Sequence, residues 1–223
     1  MTLSIVVPVL NESAALPALT AQLATLRQDS VEVLLVDGGS HDHTASLAEG
    51  AGWRVIGSER GRARQMNAGA AHAGASILLF LHADTQLPPN AVPQILAALQ
   101  GKHCWGRFDV VISGRPAMLK VVAWMMNWRS RWTGIATGDQ AMFMTRQAYE
   151  RVGGFPDQPL MEDIEMSKRL KRLSRPACLR CKVTTSGRRC ETRGVWRTIF
   201  LMWRLRWAYW CGQSATELAR AYR

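Results

Sequence analysis

The residues best suited to chemistry lie just after an uninterrupted apolar run. His82 and Asp84 follow the stretch 76–81, which contains no charged residue. Such continuous apolarity is typical of a strand buried on both faces of a parallel sheet, and ligands bind beyond the carboxyl ends of such strands. Residues two apart in extended backbone point to the same side, so both side chains could hold one ligand.

The residue types suggest a metal ion as that ligand. A carboxylate oxygen suits Mg²⁺ or Mn²⁺, whereas an imidazole shifts the preference toward Mn²⁺ or softer ions. The alternative is that Asp84 merely opens a turn before Pro88. This segment by itself does not decide between the two interpretations.

A second pair of carboxylates, Glu162 and Asp163, follows Pro159 and opens a predicted helix. Acidic residues in a first helical turn are common, because the helix dipole and the free backbone N–H groups favour them. Neighbours on a helix point about 100° apart, so only one of the two can face squarely into a cleft. A structural role and a role as catalytic base both remain open for this pair.

The cysteines could suggest zinc, but their setting argues against it. Cys178 and Cys181 have the spacing of a metal-binding pair, and Cys190 is a third thiol. However, residues 176–185 read as extended backbone, in which an odd offset sends two side chains to opposite faces. We expect reduced thiols and no zinc site.

The candidate residues are positioned by alternating strands and helices. Apolar, β-branched runs at 3–9, 31–36, 53–56 and 76–81 predict four strands, with helices between them. This alternation favours right-handed βαβ units and a mainly parallel sheet. Farther along, we predict a helix at 95–99, a strand at 105–112, a helix carrying residues 124–132, a strand near 142, and a helix after residue 159.

Composition indicates an ordinary globular protein with one basic region. The chain has 223 residues, 48% hydrophobic, and a net charge of +11. It shows neither a secretory signal nor a run of about 20 apolar residues, so we expect a soluble, cytoplasmic protein. Residues 168–223 hold 15 Lys and Arg against 2 acids, a net +13, which leaves −2 for residues 1–167. That excess indicates an anionic partner, a membrane surface or a solvated face.

Trp124, Trp128 and Trp132 recur every fourth residue. A stripe at this spacing lies along one face of a helix. We expect it to pack in the core or against a partner such as a second copy of the chain, rather than to stack on a ligand.

The last segment carries a longer aromatic stripe. It comprises Trp196, Phe200, Trp203, Trp207 and Trp210, with Arg197, Arg204 and Arg206 beside it. This pattern suits an interfacial helix whose rings enter the headgroup layer of an anionic membrane, which would make the protein peripheral on the inner face. Alternatively, Leu201, Met202 and Leu205 pack this helix against the protein or a second subunit in a homodimer.

The motifs together resemble the family 2 glycosyltransferases of the GT-A fold, over about residues 3–175. They are residues 5–12, residues 36–44, residues 64–69, His82-Ala83-Asp84, Gly138-Asp139-Gln140 and Glu162-Asp163. The chain from Arg188 onward resembles a small bacterial branch labelled radical-SAM/selenodomain-associated transferases. The resemblance implies a Rossmann-like α/β domain at residues 1–190, with a mostly parallel or mixed sheet and helices on both faces. A basic, Trp-rich helical extension at 191–223 would pack on it.

The resemblance also implies an inverting transfer of a sugar from a UDP- or GDP-type donor. The donor-binding residues would be Pro8, Asn11, Glu12, Asp37, Arg64, Asn67, Ala83 and Asp84, with Asp37 on the base. Asp84 would hold Mn²⁺ or Mg²⁺, and His82 stands where the family carries a first acid. Gly138, Asp139 and Gln140 would line the acceptor side. Asp163, beside Glu162, would deprotonate the acceptor.

Two other classes of function are alternatives. A sugar-phosphate nucleotidyltransferase would use a similar sheet and metal, but the chain lacks a P-loop for a triphosphate. A non-catalytic membrane- or nucleic-acid-binding protein would explain the basic tail and leave the strand-end acids unexplained. We therefore expect a nucleotide-sugar donor, a small or lipid-linked acceptor, and no nucleic acid. The sequence does not name the sugar, the base or the acceptor.

Overall fold

The computed structural model describes residues 2–27 and 30–222, so the predicted outer bounds at residues 1 and 223 lie outside it. The strands form one eight-stranded sheet within this part of the chain. They are β1 (Leu3–Val9), β2 (Val31–Asp37), β3 (Arg54–Gly57), β4 (Ile77–Phe80), β5 (Thr85–Gln86), β6 (Trp105–Ser113), β7 (Met142–Thr145) and β8 (Ala177–Ser186). Their order is β3-β2-β1-β4-β7-β6-β8-β5.

The sheet is mixed, as the resemblance implied. Strands β3, β2, β1 and β4 are parallel, which agrees with the alternation of strands and helices predicted for the first half. Strand β7 runs antiparallel to β4 and to β6, β8 is parallel to β6, and β5 is antiparallel to β8. The carboxyl ends of the four parallel strands therefore lie along one edge, where ligands of such sheets bind.

Helices cover both faces of the sheet. They are α1 (Leu16–Thr25), α2 (Thr44–Gly50), α3 (Arg62–His72), α4 (Ala91–Leu99), α5 (Met118–Thr133), α6 (Arg146–Arg151), α7 (Glu162–Lys171), α8 (Arg188–Arg193), α9 (Val195–Trp210) and α10 (Ala215–Tyr222), with a 3₁₀ turn at Gly138–Gln140. Ile5 and Val7 belong to one buried cluster with residues of α1 and α4, and Val6 to another with residues of α3. Successive side chains of β1 thus point into two different hydrophobic clusters, one on each face of the sheet, which is why the sequence of β1 is continuously apolar.

Helix α3 lies very close to the sheet because of Gly69. A Cβ added there would lie 2.3 Å from Val6 Cγ1 and 2.9 Å from Val36 Cγ2. We expect Gly69→Ala to lower the free energy of unfolding by about 1–3 kcal/mol, as overpacking does in well-filled cores. Urea unfolding measures this as a lower midpoint.

Gly50 is the matched control for that prediction. It also lies in a helix, and a Cβ there would meet no atom within 4 Å. Gly50→Ala should leave stability unchanged or raise it by up to about 1 kcal/mol, because alanine favours the helix. Equal effects of the two substitutions would show that close packing at Gly69 is not the cause.

The carboxyl-terminal helices pack beside α7. Leu205 of α9 and Leu218 of α10 are buried in one cluster with Met161 and Ile164, which flank the start of α7. The domain boundary predicted at residue 190 falls inside α8. None of the helices within residues 2–27 and 30–222 combines the length and apolarity needed to cross a membrane.

The first aromatic stripe does not pack in the core of the chain, so of the two expectations packing against a partner stays a prediction. Trp124, Trp128 and Trp132 on α5 are 64%, 55% and 79% exposed. Helix α5 instead turns Leu119 and Ala123 inward. Every aromatic residue of the second stripe is also more than half exposed, whereas Leu205 on the opposite side of α9 is buried. Helix α9 therefore packs on the protein and presents its aromatic face outward.

Candidate active site

The loops that follow β1 and β2 are joined by hydrogen bonds. The backbone N–H of Asn11 donates to Ser40 Oγ at 2.9 Å, and that of His41 donates to Asn11 Oδ1 at 2.9 Å. Asp37 accepts from the backbone N–H groups of Gly39 and Ser40, both at 3.0 Å, and from Ser40 Oγ. The carboxylate of Asp37 thus fixes the backbone of the turn after β2, where the nucleobase of the donor was predicted to bind.

A buried amide holds the same two strand ends together. Gln65 on α3 donates from Nε2 to the carbonyl oxygens of Val9 and Val36, both at 2.8 Å. Pro8 pairs in register with Val36 and is half-buried next to these atoms. The sequence did not indicate this role for Gln65, because a glutamine in an Arg-rich segment reads as a surface residue.

Glu12 and Asp84 place two carboxylates at this edge of the sheet. Burial raises the pKa of Glu12, and the negative charges of Asp84 and Asp42 raise it further, against an opposing effect of Arg188. Arg188 begins α8, so the carboxyl-terminal segment brings a positive charge to the donor side. Asp84 itself is exposed, and the one bond that its carboxylate accepts among the described residues is a 3.4 Å contact from Thr85 Oγ1.

The expected extended geometry of His82 and Asp84 is wrong. Strand β4 ends at Phe80, and the backbone N–H of Thr85 donates to the carbonyl of His82 at 3.0 Å, which closes a turn. Ala83 and Asp84 are the central residues of that turn, so alternation along a strand does not bring the two side chains together. The chain turns here because β5 must leave β4 to pair with β8.

His82 is directed toward the acceptor loop. Its Nδ1 lies 3.3 Å from Asp139 Oδ1, and a Cβ on Gly138 would meet the imidazole ring at 2.3 Å. Burial acts to raise the pKa of Asp139, but His82, Arg62 and Arg206 outweigh it and lower that pKa. His82 is thus in contact with Asp139, and its suggested role as a metal ligand stays a prediction.

Asp163 is fixed by two backbone donors. Its Oδ2 accepts from Gly138 N at 2.8 Å, and its Oδ1 accepts from Ile164 N at 2.7 Å. The side chain is half-buried and lines a cavity next to His82. The structure thus brings Gly138, Asp139 and Asp163 together, as the motifs implied.

Glu162 lines the same cavity from a more buried position. Its side chain is 5% exposed, and its Oε1 is 3.7 Å from Arg62 Nη1. Burial raises the pKa of Glu162, and the charge of Asp163 adds to that effect, whereas Arg62 and His82 oppose it. The other lining residues are Met66, Phe80, His82, Gly138, Met142 and Phe155.

Two residues that were predicted to bind ligands, Gln140 and Asn67, form hydrogen bonds within the protein. Gln140 is fully buried and closes the 3₁₀ turn with Thr137. Asn67 uses its amide on the backbone of Phe155 and on Tyr149 Oη. Both amides thus form hydrogen bonds within the protein, and their contact with a ligand stays a prediction.

Arg64 is also paired within the protein. Its guanidinium forms a two-bond pair with Asp157 at 2.9 and 3.0 Å and a further contact with Glu59. These acids raise the pKa of Arg64, Asp157 contributing most. A donor contact by Arg64 would require it to exchange at least one of these exposed carboxylates for the ligand.

Comparison with known proteins decides the family. The model of glycosyl transferase family 2 matches residues 4–153, about two thirds of the chain. The chain belongs to this family. An undecaprenyl-phosphate 4-deoxy-4-formamido-L-arabinose transferase from Aeromonas hydrophila is 38% identical over 121 residues, which are 48% of this chain and 35% of that relative. The chain spans a third to a half of the length of such curated relatives.

Solved structures show that this family 2 glycosyltransferase has the GT-A fold. S. aureus TarS 1-349 in complex with UDP superposes with a TM-score of 0.66 at 18% identity, over 83% of this chain and 60% of that chain. The mannosyltransferase PcManGT from Pyrobaculum calidifontis, in complex with GDP-Man and Mn²⁺, gives 0.65 at 21% identity, over 92% and 60%. The predicted family and fold are thus confirmed.

The donor edge fits a divalent cation of the kind that the GT-A fold implies. Within the described residues, no group of three or more His, Cys, Asp and Glu side chains converges as a metal site. An ion such as Mg²⁺ needs only one or two protein carboxylates when phosphate oxygens and water complete its shell. Asp84 supplies an accessible carboxylate, and the charge of Glu12 lies near enough to act with it.

Several arginines near the site were not among the predicted site residues. Arg62 reaches Glu162, and its charge lowers the pKa of Asp139 together with that of Arg206. Arg129 on α5 lies within reach of the charges of Asp163 and Arg206. The sequence held no distinct signal for Arg129, because the same helix also carries Lys120 and Arg131, and the surroundings of Arg129 depend on where α9 packs.

Proposed function

We propose that the protein transfers a sugar, with inversion, from a nucleoside-diphosphate donor of the UDP or GDP type to an acceptor. One observation carries this proposal: Asp163 is held by the N–H of Gly138 in a cavity that also includes His82, two residues from Asp84. A candidate base thus lies beside His82, which opens the turn that carries Asp84 beyond the carboxyl end of β4. The GT-A fold and the family membership support this reading.

The chemistry follows from these positions. An acceptor oxygen forms a bond to the anomeric carbon while the bond from that carbon to the diphosphate oxygen breaks, and the nucleoside diphosphate leaves. Asp163 takes the proton of an acceptor hydroxyl, a role typically worth about 10²–10⁴ in rate. Asp84 would hold the Mn²⁺ or Mg²⁺ ion, which supplies positive charge to the diphosphate.

Residues of the chain prepare the two sides of this reaction. The loops at Asn11 and Asp37 would receive the nucleoside, since their backbone is already fixed by the bonds to Ser40 and His41. Glu162, whose pKa is raised and which contacts Arg62, would influence the charge state of the neighbouring Asp163. Fixed dipoles and charges of this kind stabilise a transition state without reorganising during the reaction.

The exposed aromatic faces of α5 and α9 support a membrane-bound acceptor. Tryptophan rings favour the headgroup layer, and the exposed Arg197 and Arg204 flank the stripe on α9. The name of the Aeromonas relative describes a lipid-linked phosphate acceptor. We therefore propose peripheral contact with an anionic membrane surface; self-association through these faces is the alternative, and light scattering distinguishes it.

A thermal-shift screen tests the donor assignment. Nucleoside diphosphates and their sugar conjugates, with and without Mn²⁺, should raise the melting temperature for one base, because a ligand that binds only the folded state stabilises it. At 100 times Kd the stabilisation is about 2.7 kcal/mol. A shift with nucleoside triphosphates alone, together with release of pyrophosphate from a sugar phosphate, would instead indicate a nucleotidyltransferase.

A further inference from the structure

Two arginines beside the site carry buried nitrogen atoms without partners. Nε and Nη2 of Arg129 and Nε of Arg206 are shielded from solvent and find no hydrogen-bond partner in residues 2–27 and 30–222. Neither guanidinium lies within 4.0 Å of a carboxylate in that part of the chain. Buried polar and charged groups are normally paired, because an unpaired one is costly.

The packing of α9 places these arginines next to the candidate base. Leu205, the neighbour of Arg206, is 1% exposed and packs with Met161 and Ile164, which lie on either side of the Glu162-Asp163 pair. Arg129 lies within reach of the charge of Asp163. Both guanidiniums therefore lie near the acceptor edge of the cavity.

Arg107 on β6 offers a contrast in its charge pairing, although its Nε is likewise buried and without a hydrogen-bond partner among the described residues. Arg107 is fully buried, but it pairs with Asp109, which also binds Arg131 at 2.5 Å. The fold thus supplies a carboxylate to one pair of arginines but not to the other. Burial, with the nearby charges of Arg206 and Arg107, lowers the pKa of Arg129 to about 10 against the effect of Asp163.

Two neighbouring cations with free donors would be stabilised by an anion between them. A guanidinium presents its donors in a plane that matches phosphate oxygens, often through two bonds at once. A sulfate ester or a carboxylate, each with one negative charge, would neutralise the two cations less fully than a phosphate monoester, which carries up to two. The nearby charges of Asp163, the candidate base, and of Asp139 associate this anion with the acceptor.

We propose that Arg129 and Arg206 bind a phosphate group carried by the acceptor, next to Asp163. This inference rests on the sugar transfer proposed above and adds the chemical class of the acceptor. The phosphate belongs either to a soluble molecule or to a lipid headgroup. Both sources present the same oxygens to the two guanidiniums, so the experiment has one arm for each.

The first arm measures melting temperature with inorganic phosphate at constant ionic strength, after the donor site has been filled with the diphosphate and Mn²⁺. Wild type should be stabilised, and Arg129→Gln and Arg206→Gln should lose most of this shift. Lys120→Gln on α5 and Arg220→Gln on α10 are the controls, since each removes an exposed positive charge from a helix. No shift in wild type, or equal loss in the controls, would overturn the inference.

The same variants separate this inference from the proposed function. All four should keep the shift caused by the nucleoside diphosphate, because none lies at the donor edge. A diphosphate shift without a phosphate shift means that the acceptor inference fails alone. A phosphate shift that depends on both arginines, without any diphosphate shift, leaves the anion site standing and removes the proposed donor.

A stability measurement distinguishes binding from a structural role. Since neither guanidinium pairs with a carboxylate within residues 2–27 and 30–222, Arg129→Gln and Arg206→Gln should melt at or above the wild-type temperature without phosphate. A lower melting temperature in both variants would show that the arginines hold the fold together, and would overturn the assignment.

The second arm identifies the source of the phosphate. Phosphatidylcholine vesicles containing phosphatidic acid are compared with vesicles containing an equal charge of phosphatidylserine, which lacks a terminal phosphate. A preference for phosphatidic acid that disappears in Arg129→Gln and Arg206→Gln, but remains in the controls, supports a lipid headgroup. Equal binding of both vesicles, with the phosphate shift intact, supports a soluble acceptor.

Discussion

Asp163→Asn should lose about 10²–10⁴ in the rate of transfer, the usual contribution of a general base. Asparagine retains one oxygen that can accept from Gly138 N, so the acceptor loop keeps its position. What disappears is the ability to take a proton. The loss should therefore fall on kcat, while the affinity for the nucleoside diphosphate remains that of wild type.

Single-turnover transfer and a nucleotide titration on the same preparation check this prediction. Glu162→Gln is the matched comparison, because it changes the adjacent carboxyl to its neutral form and burial already raises the pKa of Glu162. The loss should be smaller in Glu162→Gln than in Asp163→Asn. The opposite order would assign the base to Glu162, and weaker nucleotide binding by Asp163→Asn would place Asp163 on the donor side.

Asp84→Ala should abolish the dependence of donor binding on the divalent ion. The carboxylate of Asp84 is exposed and almost free of protein partners, so its removal costs the fold little. A shift of 1.4 kcal/mol in binding corresponds to a factor of ten in Kd, and a hydrogen bond to a charged group typically contributes about 1.5–3 kcal/mol. We therefore expect the diphosphate to bind at least about tenfold more weakly in the presence of Mn²⁺.

Calorimetric titration of the diphosphate, with Mn²⁺ and with a chelator, measures this difference. Glu49→Gln on α2 is the control, since Glu49 is an exposed acid away from the strand ends. The variant and wild type should have equal affinity when the chelator is present. If Asp84→Ala retains full Mn²⁺-dependent affinity, the ion is held elsewhere, and Glu12 becomes the next carboxylate to replace.

The order and type of the elements follow from local sequence. A continuous apolar run is typical of a strand that is covered on both faces of a sheet. A helix between two such strands leaves few ways to connect them as parallel neighbours. The predicted strands at 3–9, 31–36 and 105–112 therefore match β1, β2 and β6 to within one residue at each end. The motif order was sufficient to recognise the family, because each polar cluster follows a strand whose end must lie at the ligand edge.

The predictions from local periodicity failed where contacts between distant segments decide the conformation. Alternation predicted that His82 and Asp84 would share one side, but pairing of β5 with β8 turns the chain between them and sends His82 toward Asp139. Helical spacing predicted that the stripe at Trp124 would pack in the core or against a partner, and the structure excludes the core, because the inward face of α5 is formed by smaller residues. Periodicity identifies the faces of a helix without saying which one meets the core.

By itself, the sequence determined the α/β alternation, the family, the strand-end acids and the concentration of positive charge after residue 167. Only the tertiary structure decided that Arg188 lies near Glu12, that Arg206 lies near Asp139 and Arg129, and that both aromatic stripes point outward. The reason is physical. Strand and helix patterns are set by residues a few positions apart, whereas a charge environment depends on which distant segments the packing of the core brings together.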